Sequence, residues 1–208
     1  MDETRPFPTF EAAAQATLKA LHDRLGFDLW MVTRAEGDDW IVLQAEDHGY
    51  GVSAGGVYRW ADSFCSQMVQ GNGPRMAPRS ASVPAYAAAP IGRDMTIGAY
   101  VGVPLNRGDG SLFGTICAIH PAPQPNAIAA ELPLVELLSR LLGSILAADI
   151  RAADATRHAE RARAESLADG LTGLYNRRGW DQLVAAEEGR CRRSVSYTHL
   201  TLPTICSV

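Results

Sequence analysis

From Leu134 onward the chain places an apolar residue at alternating intervals of four and three: Leu134, Leu138, Leu141, Ile145, Ala148, Ala152, Ala155, Ala159 and Ala162. The same register then turns polar at Ser166 and Asp169. A seam that holds one register over this distance predicts a long coiled-coil helix rather than a helix folded wholly onto its own domain. Its first part, Leu134, Leu138, Leu141 and Ile145, carries large side chains and is the expected seam of a homodimer. Its second part, residues 148–162, offers only methyl groups, so each layer there contributes several-fold less burial. The seam divides the chain into an input before it and the start of an output after it.

The input alternates helix and strand patterns. Residues 10–25, rich in Ala and Leu, predict a helix closed by Gly26, with Leu18, Leu21 and Leu25 on one face. Residues 27–33 and 40–45 read as strands joined by a polar turn at Glu36, Gly37, Asp38 and Asp39, which is a hairpin. From 48 to 96 regular patterns weaken. Residues 60–69 predict one short helix, with Trp60, Phe64 and Met68 on a common face. Ser82 is a candidate N-cap for a second short helix, with Pro84 in its first turn. Residues 97–105 and 112–120 form a second hairpin, apolar on both faces and therefore central in its sheet. Gly98, Gly102 and Gly114 predict close approach to these strands. Pro121, Pro123 and Pro125 then break the chain before the long helix. The order implies an α+β fold, an antiparallel sheet flanked by helices, with a long C-terminal helix.

Composition narrows the function classes. A net charge of −4 gives no electrostatic case for nucleic acid. The start, MDETRPFPTF, is acidic and polar rather than a signal peptide, and no run approaches the roughly 20 apolar residues of a membrane helix. No nucleic-acid or membrane partner is expected, and the expected location is cytoplasmic. Cys65, Cys117, Cys191 and Cys206 form no CxxC pair. Cys65 and Cys117 lie in apolar runs and are expected to be buried free thiols in a reducing compartment.

The strings GAYVGVPL at 98–105 and FGTICAIHP at 113–121, joined by a Gly-rich turn, resemble the two central strands of a GAF domain. The short helix carrying Phe64, Cys65 and Met68 stands where that family has one. The resemblance spans about residues 8–148. It implies a six-stranded antiparallel sheet, helices on one face, and a small-molecule pocket on the other covered by residues 48–96. Candidate ligand-binding residues are Phe64, Cys65, Met68, Tyr86, Met95 and Tyr100, and the same residues also read as ordinary core. The ligand stays open. A bilin thioether needs Cys65, whose apolar helix face favours core packing. Haem needs His48 or His120, and a lone histidine at a strand end is more often a surface residue. A cyclic nucleotide needs a phosphate cradle, and Arg75, Arg79 and Arg93 are scattered rather than gathered in a Gly-rich nest.

After the seam, Asp169, Leu171, Thr172, Gly173, Leu174, Asn176, Arg177 and Arg178 resemble the opening signature of a GGDEF domain. Read as residues, Asp169 stops the coiled coil, Thr172 and Gly173 turn the chain, and Asn176 caps a helix beginning at Arg177. The resemblance implies a parent diguanylate cyclase that joins two GTP into cyclic di-GMP with Mg²⁺. The metal carboxylates, the guanine-reading residues and the GGDEF loop of that family all lie downstream of this signature. No catalytic or metal residue is therefore assigned here. No cofactor is expected in this fragment, Mg and GTP being implied for the complete parent, and the chain as written is expected to be inactive. The match stops after about Glu188, and residues 192–208 are expected to be a non-native tail. The expected organisation is a GAF sensor at 8–148, a signalling helix at 134–168 and a GGDEF stub at 169–191. An unknown small molecule is expected in the GAF pocket. The other reading is a non-catalytic GAF ligand-binding and dimerisation module, with a degenerate GGDEF or an attached phosphodiesterase as its output.

Overall fold

The computed structural model describes residues 5–167, 169, 172 and 174–193, the last three as backbone. Leu171 and Gly173 of the motif, and the expected tail beyond Arg193, lie outside the described residues. The chain forms two compact units divided after Arg151.

The first unit begins with α1 (Phe10–Leu25), whose N-cap Thr9 accepts the Ala12 N–H at 3.2 Å. Gly26, at φ 66°, ends it in the left-handed conformation that glycine adopts without strain. Strands β1 (Leu29–Glu36) and β2 (Asp39–Asp47) follow, then the short β3 (Val57–Arg59). The helix predicted over 60–69 is broken. Trp60–Asp62 is a 3₁₀ turn, and Ser63 accepts the Ser66 N–H at 3.0 Å to start α2 (Phe64–Val69) afresh. A two-residue strand β4 (Met76–Ala77) precedes α3 (Pro84–Ala88) and α4 (Ile91–Asp94). Ser82 does not cap α3. Its hydroxyl donates to the Arg79 carbonyl at 2.7 Å, and Val83 occupies the cap position with Pro84 behind it. Strands β5 (Ala99–Asn106) and β6 (Leu112–His120) form the second hairpin. The long helix starts later than Pro125 predicts: a 3₁₀ segment, Asn126–Glu131, leads into α5 (Leu132–Leu167).

The sheet is antiparallel with order β3-β2-β1-β6-β5-β4. Alternate residues of its central strands serve two different cores. Trp30, Val32, Val101, Val103, Ile116 and Ala118 face α1 and the first part of α5, where Leu18, Leu21, Val135, Leu142 and Leu146 pack on them. Met31, Tyr100, Cys117 and Ile119 face the other way, beneath α2 and α3. Each large side chain buried this way contributes about 1.5–3 kcal/mol.

The seam lies beside the face of α5 that its own domain uses. Val135, Ser139, Leu142 and Leu146 are buried, one position beyond the seam. Leu138 and Ile145 pack partly against the same core, Leu134 is half-buried, and Leu141 is 52% exposed. Ser139 donates to the Pro104 carbonyl at 2.8 Å, and Asp149 accepts the Phe10 N–H at 2.6 Å. Among the described residues no helix is long and apolar enough to cross a membrane.

In the second unit, residues 152–166 of α5 are exposed and α5 ends at Leu167. The Asp169 N–H donates to the Leu174 carbonyl at 2.7 Å, and its carboxylate accepts the Thr172 N–H at 3.0 Å. Asn176 donates from its backbone to Leu167 and from its side chain to the Ser166 carbonyl at 2.8 Å. Its side-chain oxygen accepts the Gly179 N–H at 2.9 Å, which caps α6 (Arg177–Arg193).

Gly114 carries the pairing of the two central strands. A Cβ there would lie 1.8 Å from the Thr33 carbonyl oxygen, a backbone atom that cannot turn aside. Gly114→Ala is expected to destabilise the domain by more than about 3 kcal/mol in urea denaturation. Gly92→Ala, with nothing near its added methyl, is expected to stay within about 0.5 kcal/mol of the parent.

Candidate functional site

The face of the sheet turned away from α1 and α5 is floored by β1, β5 and β6. Beneath α2 and the segment around α4 it holds a small cavity of about 20 Å³. Met31, Trp40, Tyr58, Phe64, Ile91, Met95, Ile97 and Ile119 make its walls apolar, with Cys65, Cys117 and Tyr100 as its sulfur and hydroxyl groups.

The sequence candidates divide over this site. Phe64, Cys65, Met95 and Tyr100 line the cavity. Tyr86 lies one layer out and Met68 is buried in the same core, and neither lines it. Phe64 stacks on Tyr86 with centroids 4.7 Å apart and meets the Tyr100 ring edge-on at 5.6 Å. Tyr86 and Tyr100 are themselves edge-on at 5.0 Å. Each such contact adds about 0.5–1.5 kcal/mol beyond burial, so the three rings fix the cover as a unit. Tyr86 also donates its hydroxyl to the Pro74 carbonyl. The Gly73 backbone runs so close that a Cβ there would lie 2.6 Å from the Tyr86 ring.

The same face of the sheet holds a buried polar group of Trp40, Thr33 and Thr115 that the sequence did not flag. The Trp40 indole N–H donates to Thr33 Oγ1 at 2.8 Å, and Thr33 and Thr115 share a hydroxyl hydrogen bond at 2.8 Å. Tyr100 donates its hydroxyl to Cys65 Sγ at 3.3 Å. Burial pushes the Cys65 thiol up, but hydrogen bonds from Cys117, Thr115 and Tyr100 outweigh it and hold Cys65 below its ordinary value. The hydrogen bond to Cys65, with burial behind it, raises Cys117 well above its own. Burial and the neighbouring sulfurs raise Tyr100, and burial likewise raises Tyr86. The signal for this group was parity: Thr33 shares the strand face of Met31, and Thr115 that of Cys117.

The other candidates lie elsewhere. His48 bonds Glu46 at 3.0 Å and stacks on His22, and His120 bonds the Ala122 carbonyl at 2.8 Å. Arg75 pairs with Glu136 at 2.5 Å, Arg79 reaches Asn126, and Arg93 is exposed on α4. None lines the cavity. Asp169, Thr172, Leu174, Arg177 and Arg178 are exposed and Asn176 is half-buried. Among the described residues no three His, Cys, Asp or Glu side chains converge as a metal site.

Thr33→Val strands the buried Trp40 N–H and is expected to cost about 1–3 kcal/mol. Adding Trp40→Phe removes the stranded donor, so the pair should cost less than the sum of the single changes in a denaturation double-mutant cycle. Strict additivity would mean that the indole does not depend on Thr33.

Solved structures share this architecture at low identity. The GAF domain from an Acinetobacter phosphoenolpyruvate-protein phosphotransferase is 14% identical, over 68% of this chain and 84% of that one, with a TM-score of 0.54. A free methionine-R-sulfoxide reductase from Neisseria meningitidis, solved with its substrate, is 16% identical over 73% and 83%, at 0.55. The chromophore-binding domain of a Stigmatella aurantiaca phytochrome is 17% identical over 69% and 55%, at 0.51. These likenesses are of fold. No curated protein matches the chain. The GAF domain family matches residues 9–146, which takes in both hairpins, the covered cavity and the first turns of α5. The chain therefore belongs to the GAF domain family, a family of sensory and ligand-binding modules.

Proposed function

We propose that this chain is the sensory part of a GAF–GGDEF signalling protein, the complete parent being a diguanylate cyclase. A small molecule that displaces the cover of α2 and α4 and widens the cavity beneath it shifts the packing of the sheet, and α5 carries that shift to the output. Two copies join along α5, and their packing sets whether two GTP-loaded output domains can meet. Mg²⁺ and GTP belong to the parent's downstream residues, so no catalytic step falls on this chain.

The observation that carries this reading is the continuity of α5. Its early turns place Val135, Leu142 and Leu146 in the domain core, and it runs on past Arg151 as exposed helix for roughly four turns. A helix anchored at one end and unpartnered along the rest is suited to a second copy of itself. Leu137 and Leu141, 46% and 52% exposed, lie one turn apart beside the anchored face. They offer a strong contact next to the sensor, and the alanines at 148, 152, 155, 159 and 162 offer a weak one further on. A clamp joined to a loose segment gives the two discrete packings that a switch requires. The GGDEF-like signature at 169–178 follows directly.

The natural full-length product tests the reading. It is expected to convert GTP to cyclic di-GMP with Mg²⁺. Leu141→Asp is expected to abolish dimers in sedimentation and the activity with them. Ala155→Leu is expected to keep the dimer, tighten it, and lock output on or off. A full-length product that makes no cyclic di-GMP overturns the assigned output. An unchanged dimer in Leu141→Asp overturns the interface.

A further inference from the structure

The cavity holds chemistry that ligand sensing does not use. Cys65 comes from α2 and Cys117 from β6, 52 positions apart in sequence. Both are free, both are 1% exposed, and both line the cavity. They face the same small void, and each shifts the ionisation of the other. Two structural thiols need no shared void, and no core needs a tyrosine hydroxyl aimed at a sulfur. Here Tyr100 Oη donates to Cys65 Sγ at 3.3 Å. A hydroxyl donor aimed at this sulfur stabilises its anion, which is the nucleophilic form of cysteine. Cys65 beside it and its burial hold the Cys117 thiol above its ordinary value, which favours its protonated form.

Size selects the reagent. At about 20 Å³ the cavity exceeds the roughly 10–15 Å³ that one water occupies, but admits nothing the size of a peptide or nucleotide. Its walls offer no cation to hold an anion. A small, neutral oxidant with an O–O bond fits both conditions.

We propose that Cys65 and Cys117 are a peroxide-reactive dithiol, oxidised within the cavity to a disulfide that ties α2 to β6. In the first step the Cys65 sulfur attacks one peroxide oxygen. The O–O bond breaks, and the departing hydroxide takes the Cys65 proton as water, leaving a sulfenic acid. In the second step the Cys117 sulfur attacks the Cys65 sulfur. The S–O bond breaks, and the hydroxyl leaves with the Cys117 proton as a second water. The two thiols lose two electrons and two protons, and the peroxide gains them. Cys65 is the attacking sulfur because the Tyr100 hydroxyl donates to it, and Cys117 is the resolving one. The bond weakens the sulfur acceptor of Tyr100, whose ring packs on Phe64 and Tyr86, so oxidation reaches the same elements that enclose the cavity.

The test uses the full chain with Cys191→Ser and Cys206→Ser, treated with hydrogen peroxide, quenched by alkylation under denaturing conditions and mapped by mass spectrometry. The expected result is a peptide pair joined through Cys65 and Cys117, formed by hydrogen peroxide and not by oxidised glutathione, which is too large to enter. Cys117→Ser is expected to leave a Cys65 sulfenic acid that a 1,3-diketone traps. Tyr100→Phe, which removes one hydrogen bond to the attacking sulfur, is expected to slow oxidation by about tenfold. Full alkylation of both thiols after peroxide treatment of the folded chain overturns the proposal. Oxidation by glutathione disulfide at a rate equal to that by peroxide overturns the role of the cavity. The mapping of the otherwise unaltered site does not depend on whether the Cys117→Ser chain folds. It reads sulfur chemistry alone, so its outcome is separate from that of the cyclase assay.

Discussion

Strand β6 runs between β1 and β5, and its alternate residues are committed to opposite sides of the sheet. Ile116 and Ala118 belong to the core under α1 and α5, and Cys117 and Ile119 to the core under α2 and α3. The β1–β6 pairing is therefore the constraint on which both cores depend. It survives only because Gly114 lets the Thr33 backbone come close. A slip of one residue would turn every one of these side chains to the wrong face. Neither core can loosen without straining the strand that floors the other.

The two cores are built for different duties. On the α1 and α5 side, large aliphatic side chains interlock with a long helix, and ion pairs such as Arg24 with Glu131 at 3.0 Å sit at its rim. On the other side the cover is made of short pieces, α2, α3 and α4, of which α2 and α3 are joined by the stack of Phe64 on Tyr86. Short elements with few backbone bonds of their own open at lower free energy than long ones. The face that encloses the cavity is thus the more readily rearranged, and the face that holds α5 is the firmer. Strands β5 and β6 contribute side chains to both cores and so join the cover to the face that holds α5.

What the sequence made legible follows the same division. The helix at 10–25 and the strand at 112–120 are plain in it because each has a full period and a marked end, Gly26 in one case and Pro121 in the other. Strands β3 and β4 have three and two residues, too few to show a period, and were implied by family resemblance alone. The break at Ser63 is invisible to hydrophobic spacing, because Trp60, Phe64 and Met68 still pack into one core across it. The long repeat in α5 is legible, whereas its neighbours are not. The spacing of Leu138 and Ile145 does not tell a coiled-coil seam from the edge of the domain's own core. Thr33 and Thr115 escaped notice because a threonine in a strand is ordinary. Only the pairing of β1 with β6 sets the two hydroxyls side by side.

In the proposed dimer α5 is one helix with two kinds of environment, its early turns built into the sensor core and its later turns covered by a second copy. Amide hydrogen exchange along α5, followed from dilute to concentrated protein, tests this most directly. Residues 132–146 are predicted to exchange as slowly as β1 and β6 at every concentration. Residues 152–167 are predicted to exchange rapidly in dilute protein and to become protected as dimers form. Equal protection of both parts in dilute monomer, or rapid exchange of the later part at every concentration, would contradict the account.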